Sequence, residues 1–345
     1  MKNANGNANV KVVQHYVPWY SDDYRISSRG SEAFGSRRDY RSLTPQDIYK
    51  ELTKYVVDQD DACRKVSVMV YQHLRGHRFV GMLAGPTGSG KSFIAESLKK
   101  LLPNLVFIRD VSNVSCDGWT GNKKVSDLFR GVDVSGRRED GFYPIIFLDE
   151  CDKMFKPKHT SGGDNVSEDI QSEFLTVIHG GEMLVTDPTD RRSKTTLNTS
   201  NISFLFAGAF ENKAAAIAEK ESGPSLGFGA SMEKVNSYNR ELTIDDVIEA
   251  GCMRELAGRI QRLVNLNPFG EEAFRRMLDD HERGPLGELE NEFEIPICIS
   301  ESRKDEIAHD AYASGLGIRG IKNSIREYID EMMWNDCNAR VLEIA

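Results

Sequence analysis

Missing from this chain are the marks of several protein classes. Its six cysteines (Cys63, Cys116, Cys151, Cys252, Cys298 and Cys337) are scattered and form no C-x-x-C pair. That excludes a disulfide framework and a zinc ribbon, and points to a reducing compartment. No apolar run reaches the length of about 18 residues needed for a membrane span. The N-terminus has no apolar core of signal-peptide length, so the expectation is a cytoplasmic protein. Excess positive charge is also missing: the formal net charge is −9, which argues against a protein held mainly by nucleic-acid phosphates, though it leaves room for a local basic groove. There is no internal repeat. Charged residues at 28% and hydrophobic ones at 39% are ordinary for a soluble enzyme, and 345 residues suggest two domains.

What stands out is Gly85-Pro86-Thr87-Gly88-Ser89-Gly90-Lys91-Ser92. It fits G-x-x-x-x-G-K-[ST], the loop that cradles nucleotide phosphates. Glycines permit the tight turn and the positive φ angles that aim several backbone N–H groups at one anion. Lys91 can reach the β- and γ-phosphates, and the Ser92 hydroxyl can bind Mg²⁺. The flanks suit the motif. Phe79–Leu83 reads as a buried strand, and Phe93–Leu98 as the start of a helix whose positive N-terminus would face the phosphates.

Residues 1–43 differ in composition from the rest, being polar and Gly/Ser-rich around an aromatic island, His15–Tyr20. They read as a flexible segment. Order is expected to start at Thr44, a helix N-cap with Pro45 at the first helical position. Four strand-like runs follow, at Val80–Leu83, Leu105–Ile108, Ile145–Leu148 and Ile202–Phe206, with helical patterns between them. Such alternation predicts an α/β fold with a mostly parallel sheet flanked by helices. This large domain is expected to run over 44–266. Residues 267–345 read as a small, mostly helical domain with one strand at Ile295–Ile299. Its last helix is marked by Ile318, Ile321, Ile325, Ile329 and Met332.

Ile145–Glu150 is an apolar strand ending in two carboxylates. Asp149 can hold Mg²⁺ beside Ser92, and Glu150 can polarise the water that attacks a γ-phosphate. Together, Gly85–Ser92 and Ile145–Lys153 resemble the Walker A and Walker B segments of the AAA+ P-loop ATPases, and among these the chain most resembles the ClpX-type protein unfoldases of the Clp/HSP100 family. The resemblance runs from about Leu43 to the C-terminus. It implies ATP and Mg²⁺ as cofactors, with Lys91, Asp149 and Glu150 catalytic. The segment Leu52–Asp60 resembles the one that borders the adenine, which gives Val56 and Val57 that role. The family usually has Gly where Asp58 stands. Thr199–Phe210 resembles the sensor-1 region, with no polar sensor obvious.

Other roles come from the same resemblance. Gly251–Arg259 is similar to the arginine-finger segment, so Arg259 would reach a neighbouring subunit's γ-phosphate. This implies a homo-oligomeric ring, a hexamer by family habit. Gly317–Ile321 resembles sensor 2, with Arg319 on the nucleotide phosphates. Gly118-Trp119-Thr120-Gly121 aligns with the pore loop that grips polypeptide, with Trp for the usual Tyr and Thr for an aliphatic residue. Leu226-Gly227-Phe228 resembles the loop that docks on a ClpP-type peptidase. The plainer alternatives are a locally paired Arg259, a surface Arg319, a Trp119 buried under a turn and a simple Gly-rich loop around Phe228. The family's zinc-binding N-terminal domain is expected to be absent, since no Cys precedes Cys63. A second pore loop is expected through Asp164–Glu168, and a short basic entrance loop at Asp190–Lys194.

Two formal matches are set aside. Gly223–Gly227 fits G-x-S-x-G but follows no strand. His73 and His77 have the spacing of a zinc protease helix, but Leu74 replaces the catalytic Glu. The expectation is therefore an ATP-dependent protein unfoldase without protease chemistry of its own, with protein substrates and no membrane partner. A nucleic-acid motor or loader of AAA+ type is the alternative.

Overall fold

A computed structural model of the chain describes residues 10–12, 40–115, 123–132, 141–159, 163, 165–186, 194–211, 241–280 and 284–345. In chain order the elements are β1 (Val10–Val12), α1 (Pro45–Thr53), α2 (Asp60–Leu74), β2 (Val80–Ala84), α3 (Lys91–Leu101), β3 (Val106–Asp110), β4 (Ile145–Asp149), α4 (Cys151–Phe155), α5 (Val166–His179), β5 (Glu182–Thr186), β6 (Lys194–Asn198) and β7 (Ser203–Gly208). They continue with α6 (Ile244–Glu249), α7 (Arg254–Ala257), β8 (Arg262–Asn265), α8 (Glu271–Asp279), α9 (Pro285–Phe293), β9 (Ile297–Ile299), α10 (Glu301–Ser314), α11 (Ile318–Asn335) and β10 (Leu342–Ile344). Two compact units result. One is Thr44–Pro268; the other joins Phe269–Ala345 to the described residues before Thr44. No described helix is long and apolar enough to cross a membrane.

The larger unit is an α/β layer structure. Its sheet has the order β3-β4-β7-β2-β8, with every neighbouring pair parallel. The three central strands read VGMLA, IIFLD and SFLFAG. Such near-continuous apolar runs are what a strand covered on both faces requires. On one face, Phe206 of β7 meets the rings of Phe155 on α4 and Phe174 on α5, at centroid distances of 6.4 and 6.2 Å. On the other, α2 lies so close that a Cβ at Gly81 would stand 3.1 Å from Met69 Sδ. A side chain there would force helix and sheet apart. The described strands of this unit exceed the four expected runs by β8, which adds an edge strand, and by the hairpin β5–β6.

Local chemistry sets the helix ends. Thr44 Oγ1 accepts from Asp47 N–H at 3.2 Å, and Asp47 Oδ2 accepts from Thr44 N–H at 3.0 Å. With Pro45 first in the helix, this reciprocal cap fixes where α1 begins. Asn165 caps α5 by accepting from Ser167 N–H. The stretch expected as a second pore loop is therefore, from Asn165 to Glu168, the capped first turn of a helix. The first turn outranks the loop reading because a capped N–H is satisfied locally.

In the smaller unit, α11 buries Ile321, Ile325, Ile329 and Met332 as the spacing predicts. The strand content is larger than expected. β9 pairs in parallel with β10, and β10 pairs antiparallel with β1. Residues 10–12, read above as part of a flexible segment, are thus a sheet edge. Their partners lie at the opposite end of the chain, and no local pattern announces a pairing of that kind.

Candidate nucleotide site

Because the sheet is parallel, the carboxyl ends of its strands share one edge, where open α/β sheets bind ligands. Ala84 of β2 pairs with Gly208 of β7 and with Asn265 of β8. Leu148 of β4 pairs with Phe206. The phosphate-loop sequence follows β2 at this edge. Gly88 and Gly90 take φ of +78° and +95°, a left-handed conformation that glycine adopts at little cost. Gly90 is the N-cap of α3, so the helix starts at Lys91 with its free N–H groups facing the loop. Gly85 has a different reason. A Cβ there would stand 2.7 Å from Leu266 O and 2.8 Å from Leu266 Cβ, which follow β8. The loop is pinned where any side chain would displace it.

Lys91 is nearly buried, at 8% exposure, and its Nζ donates to Gly85 O and Pro86 O at 2.6 Å each. Burial pushes its pKa down to about 8, while the Asp149, Asp152 and Glu211 carboxylates act in the opposite direction. The ammonium is thus held against the loop it serves. Ser92 Oγ donates to Asp149 Oδ2 at 2.9 Å, and the Glu150 N–H donates to Asp149 Oδ1 at 2.9 Å. Both oxygens of Asp149 are thereby directed. Glu150 has φ +60°, and its Oε2 accepts from Lys153 Nζ at 2.8 Å across the first turn of α4. That bond is the first cause of the raised pKa of Lys153.

Near the expected adenine border, Val56 is buried and Val57 half-buried. Asp58 takes φ +54°, which accounts for glycine as the usual residue at that place. Gln59, 2% exposed, donates to Asn267 O at 2.8 Å and accepts from Asn267 N–H at 3.0 Å. This two-way bond ties the start of α2 to the chain leaving β8. Neither Gln59 nor Asn267 was marked by the sequence, where a single buried amide has no motif around it.

The sequence also passed over Glu211 and Asp152. Asp152 Oδ1 accepts from Ala209 N–H at 3.2 Å. The Glu211 carboxylate accepts from Thr87 N–H at 3.3 Å and from the Thr87 hydroxyl. These bonds bring the chain after β7 to the phosphate loop. The signal was topological: a strand between β2 and β4 must end between the loop and the two carboxylates.

Arg259 follows α7 and is exposed; its N–H donates to Leu256 O at 3.0 Å, and its side chain makes no hydrogen bond or ion pair among the described residues. Its charge lowers the pKa of nearby Arg78 after the larger effect of burial. Arg319, in the smaller unit, lies exposed in the first turn of α11. The expected pore loop Gly118–Gly121 and the loop Leu226–Phe228 lie outside the described residues. His73 and His77 do not share a helical face, since α2 ends at Leu74.

The residues present fit a nucleotide with Mg²⁺. Gly85 lets the phosphate loop lie against Leu266, where a Cβ would not fit. The buried Ser89 Oγ within the loop has no hydrogen-bond partner among the described residues, and orphaned buried hydroxyls are uncommon in folded proteins. Ser92 and Asp149 together offer the hard oxygen donors that Mg²⁺ prefers.

Comparison with known proteins agrees with this geometry. Residues 78–263 match the family AAA domain (Cdc48 subfamily). The chain is 27% identical over 318 residues to the ATP-dependent Clp protease ATP-binding subunit ClpX of Treponema denticola, covering 84% of this chain and 77% of the relative. It is 27% identical over 324 residues to the protein of the same name from Bacteroides thetaiotaomicron, covering 84% and 76%.

Proposed function

The chain belongs to the AAA family, Cdc48 subfamily, as an ATPase of the ClpX type, and from that premise we propose that it hydrolyses ATP in a ring to unfold protein substrates. The observation that carries the hydrolysis is the alignment at one sheet edge of Lys91, Ser92 and Asp149, with Ser92 Oγ 2.9 Å from Asp149 Oδ2. Bound Mg²⁺ supplies charge neutralisation at the phosphates. Ser92 and Asp149 hold it, Lys91 and the loop N–H groups orient the phosphates, and Glu150 takes up a proton from the attacking water. Phosphoryl transfer asks mostly for positioning and charge stabilisation, so this small set is sufficient.

The remaining roles follow from the family resemblance. Arg259, exposed and without an ion pair among the described residues, reaches the γ-phosphate held by the next subunit. Arg319 carries the sensor-2 role. The loop Gly118–Gly121 presents Trp119 to a polypeptide in a central pore, where a large aromatic surface grips any sequence. Phe228 anchors a ClpP-type peptidase ring.

Hydrolysis measured with an unfolded protein, and in parallel with single- and double-stranded DNA, tests this reading. Stimulation by polypeptide alone is expected. Stimulation by DNA alone would replace it with a nucleic-acid motor. In the same assay Glu150→Gln is expected to bind ATP and keep the assembly while turnover falls by about a hundredfold or more; ordinary turnover would remove Glu150 from its role.

A further inference from the structure

Glu211 forms an unexpected contact with the phosphate loop. It lies just past β7, and the sheet order β4-β7-β2 puts that strand end between the Asp149–Glu150 pair and the loop. Its path is fixed by its neighbours. The Ala209 N–H is taken by Asp152. Phe210 is buried at φ +51°, its ring stacked on Phe155 at 6.3 Å. A positive φ at a bulky aromatic residue is costly and persists only when the surroundings impose it. Gly208 admits this bend, since a Cβ there would stand 2.8 Å from the Phe210 ring. From this turn Glu211 Oε1 accepts both the Thr87 N–H and the Thr87 hydroxyl. A carboxylate oxygen thus sits on donors of a loop built to receive phosphate oxygens.

We propose that Glu211 determines how strongly the site prefers nucleoside triphosphate over diphosphate, by occupying Thr87 until a terminal phosphate displaces it. This rests on the nucleotide reading above. The groups of hydrolysis, Ser92, Asp149 and Glu150, lie at the ends of β4 and α3, so the terminal phosphate of a triphosphate is the one brought to the end of β7 as well. There it meets the Glu211 charge and competes for Thr87. A diphosphate lacks that phosphate and leaves the Glu211–Thr87 contact in place. After hydrolysis the carboxylate recaptures Thr87, which favours departure of the released phosphate.

The test is isothermal titration of wild type, Glu211→Gln and Glu211→Ala with ADP and with a β,γ-imido triphosphate analogue. Glu211 is exposed, so neither change is expected to disturb folding, and melting curves without nucleotide check this. Removing the charge is expected to strengthen analogue binding relative to ADP by roughly threefold to tenfold at about 0.1 M salt. The gain should shrink near 1 M, where the Debye length falls to about 3 Å. An unchanged ratio in both variants overturns the proposal. So does a parallel change for both nucleotides, which would make Glu211 a shaper of the loop. A loss of turnover with unchanged affinities also overturns it and assigns Glu211 to the attacking water. Failure of the wild type to bind either nucleotide would instead overturn the ATPase reading on which this one stands.

Discussion

Asp58 and Glu150 both hold their backbones at positive φ, +54° and +60°. For residues other than glycine this region costs on the order of 1 kcal/mol, less for the short polar side chains of Asp and Asn. A β-branched residue pays more. Asp58→Val is therefore expected to lower the unfolding free energy by about 1–2 kcal/mol, while Asp58→Gly, which relieves the backbone, stays within about 1 kcal/mol of wild type. Urea melts of the two variants decide this, and equal midpoints would show that φ at 58 relaxes. Asp58 was visible in the sequence only as a departure from a resembling family; its dihedral supplies the reason. Lys91, Ser92, Asp149 and Glu150 were legible because phosphate chemistry ties them to a fixed local pattern. Glu211 was not, because its position depends on which strand lies between which.

His73 is the link between α2 and the sheet. Its Nε2 lies 2.8 Å from Tyr143 O and its Nδ1 2.7 Å from Ser203 Oγ. A carbonyl can only accept, so Nε2 carries the proton and Nδ1 accepts from the Ser203 hydroxyl. Ser203 Oγ in turn accepts from Phe79 N–H at 3.0 Å. The neutral ring satisfies every partner. Burial holds its pKa down at about 4, against a smaller opposing effect of the Tyr143 carbonyl. The folded value lies below the unfolded 6.5, so the unfolded chain binds the extra proton first. The contribution is intact above pH 6.5 and is lost as pH falls from there toward 4, a total of about 3 kcal/mol. His73→Gln should melt at lower urea at pH 7 and show a flatter decline between pH 6.5 and 5. Parallel declines would remove His73 as the cause. A zinc pairing of this histidine with His77 is set aside on the sequence alone, and α2 ends before His77, so the two share no helical face. Elements with strong periodicity, such as α11 and the three central strands, were readable in advance. The short strands β1, β8 and β10 were not, since three or four residues carry no period and owe their form to a distant partner.

At the scale of the assembly, the question is whether one catalytic site draws residues from two subunits. Arg259 is exposed, and no described acid pairs with it, so its charge is available to something outside its own chain. In the proposed head-to-tail ring that partner would be the next subunit, because each subunit would offer Arg259 to one neighbour and its loop to the other. Arginine fingers of this kind are worth roughly 10³–10⁵ in rate, so Arg259→Ala alone and Glu150→Gln alone should each be nearly inactive. Mixed in equal amounts, they behave differently. An Arg259→Ala subunit keeps Glu150, and a neighbouring Glu150→Gln subunit keeps Arg259, so that junction is complete. With random mixing about a quarter of junctions are of this kind, and hydrolysis should return toward that fraction of wild type. If Arg259 served its own subunit, every site in the mixture would still lack one group and the mixture would stay as inactive as its parts. Recovery should also fall on dilution, since a site shared across a junction exists only while the junction does.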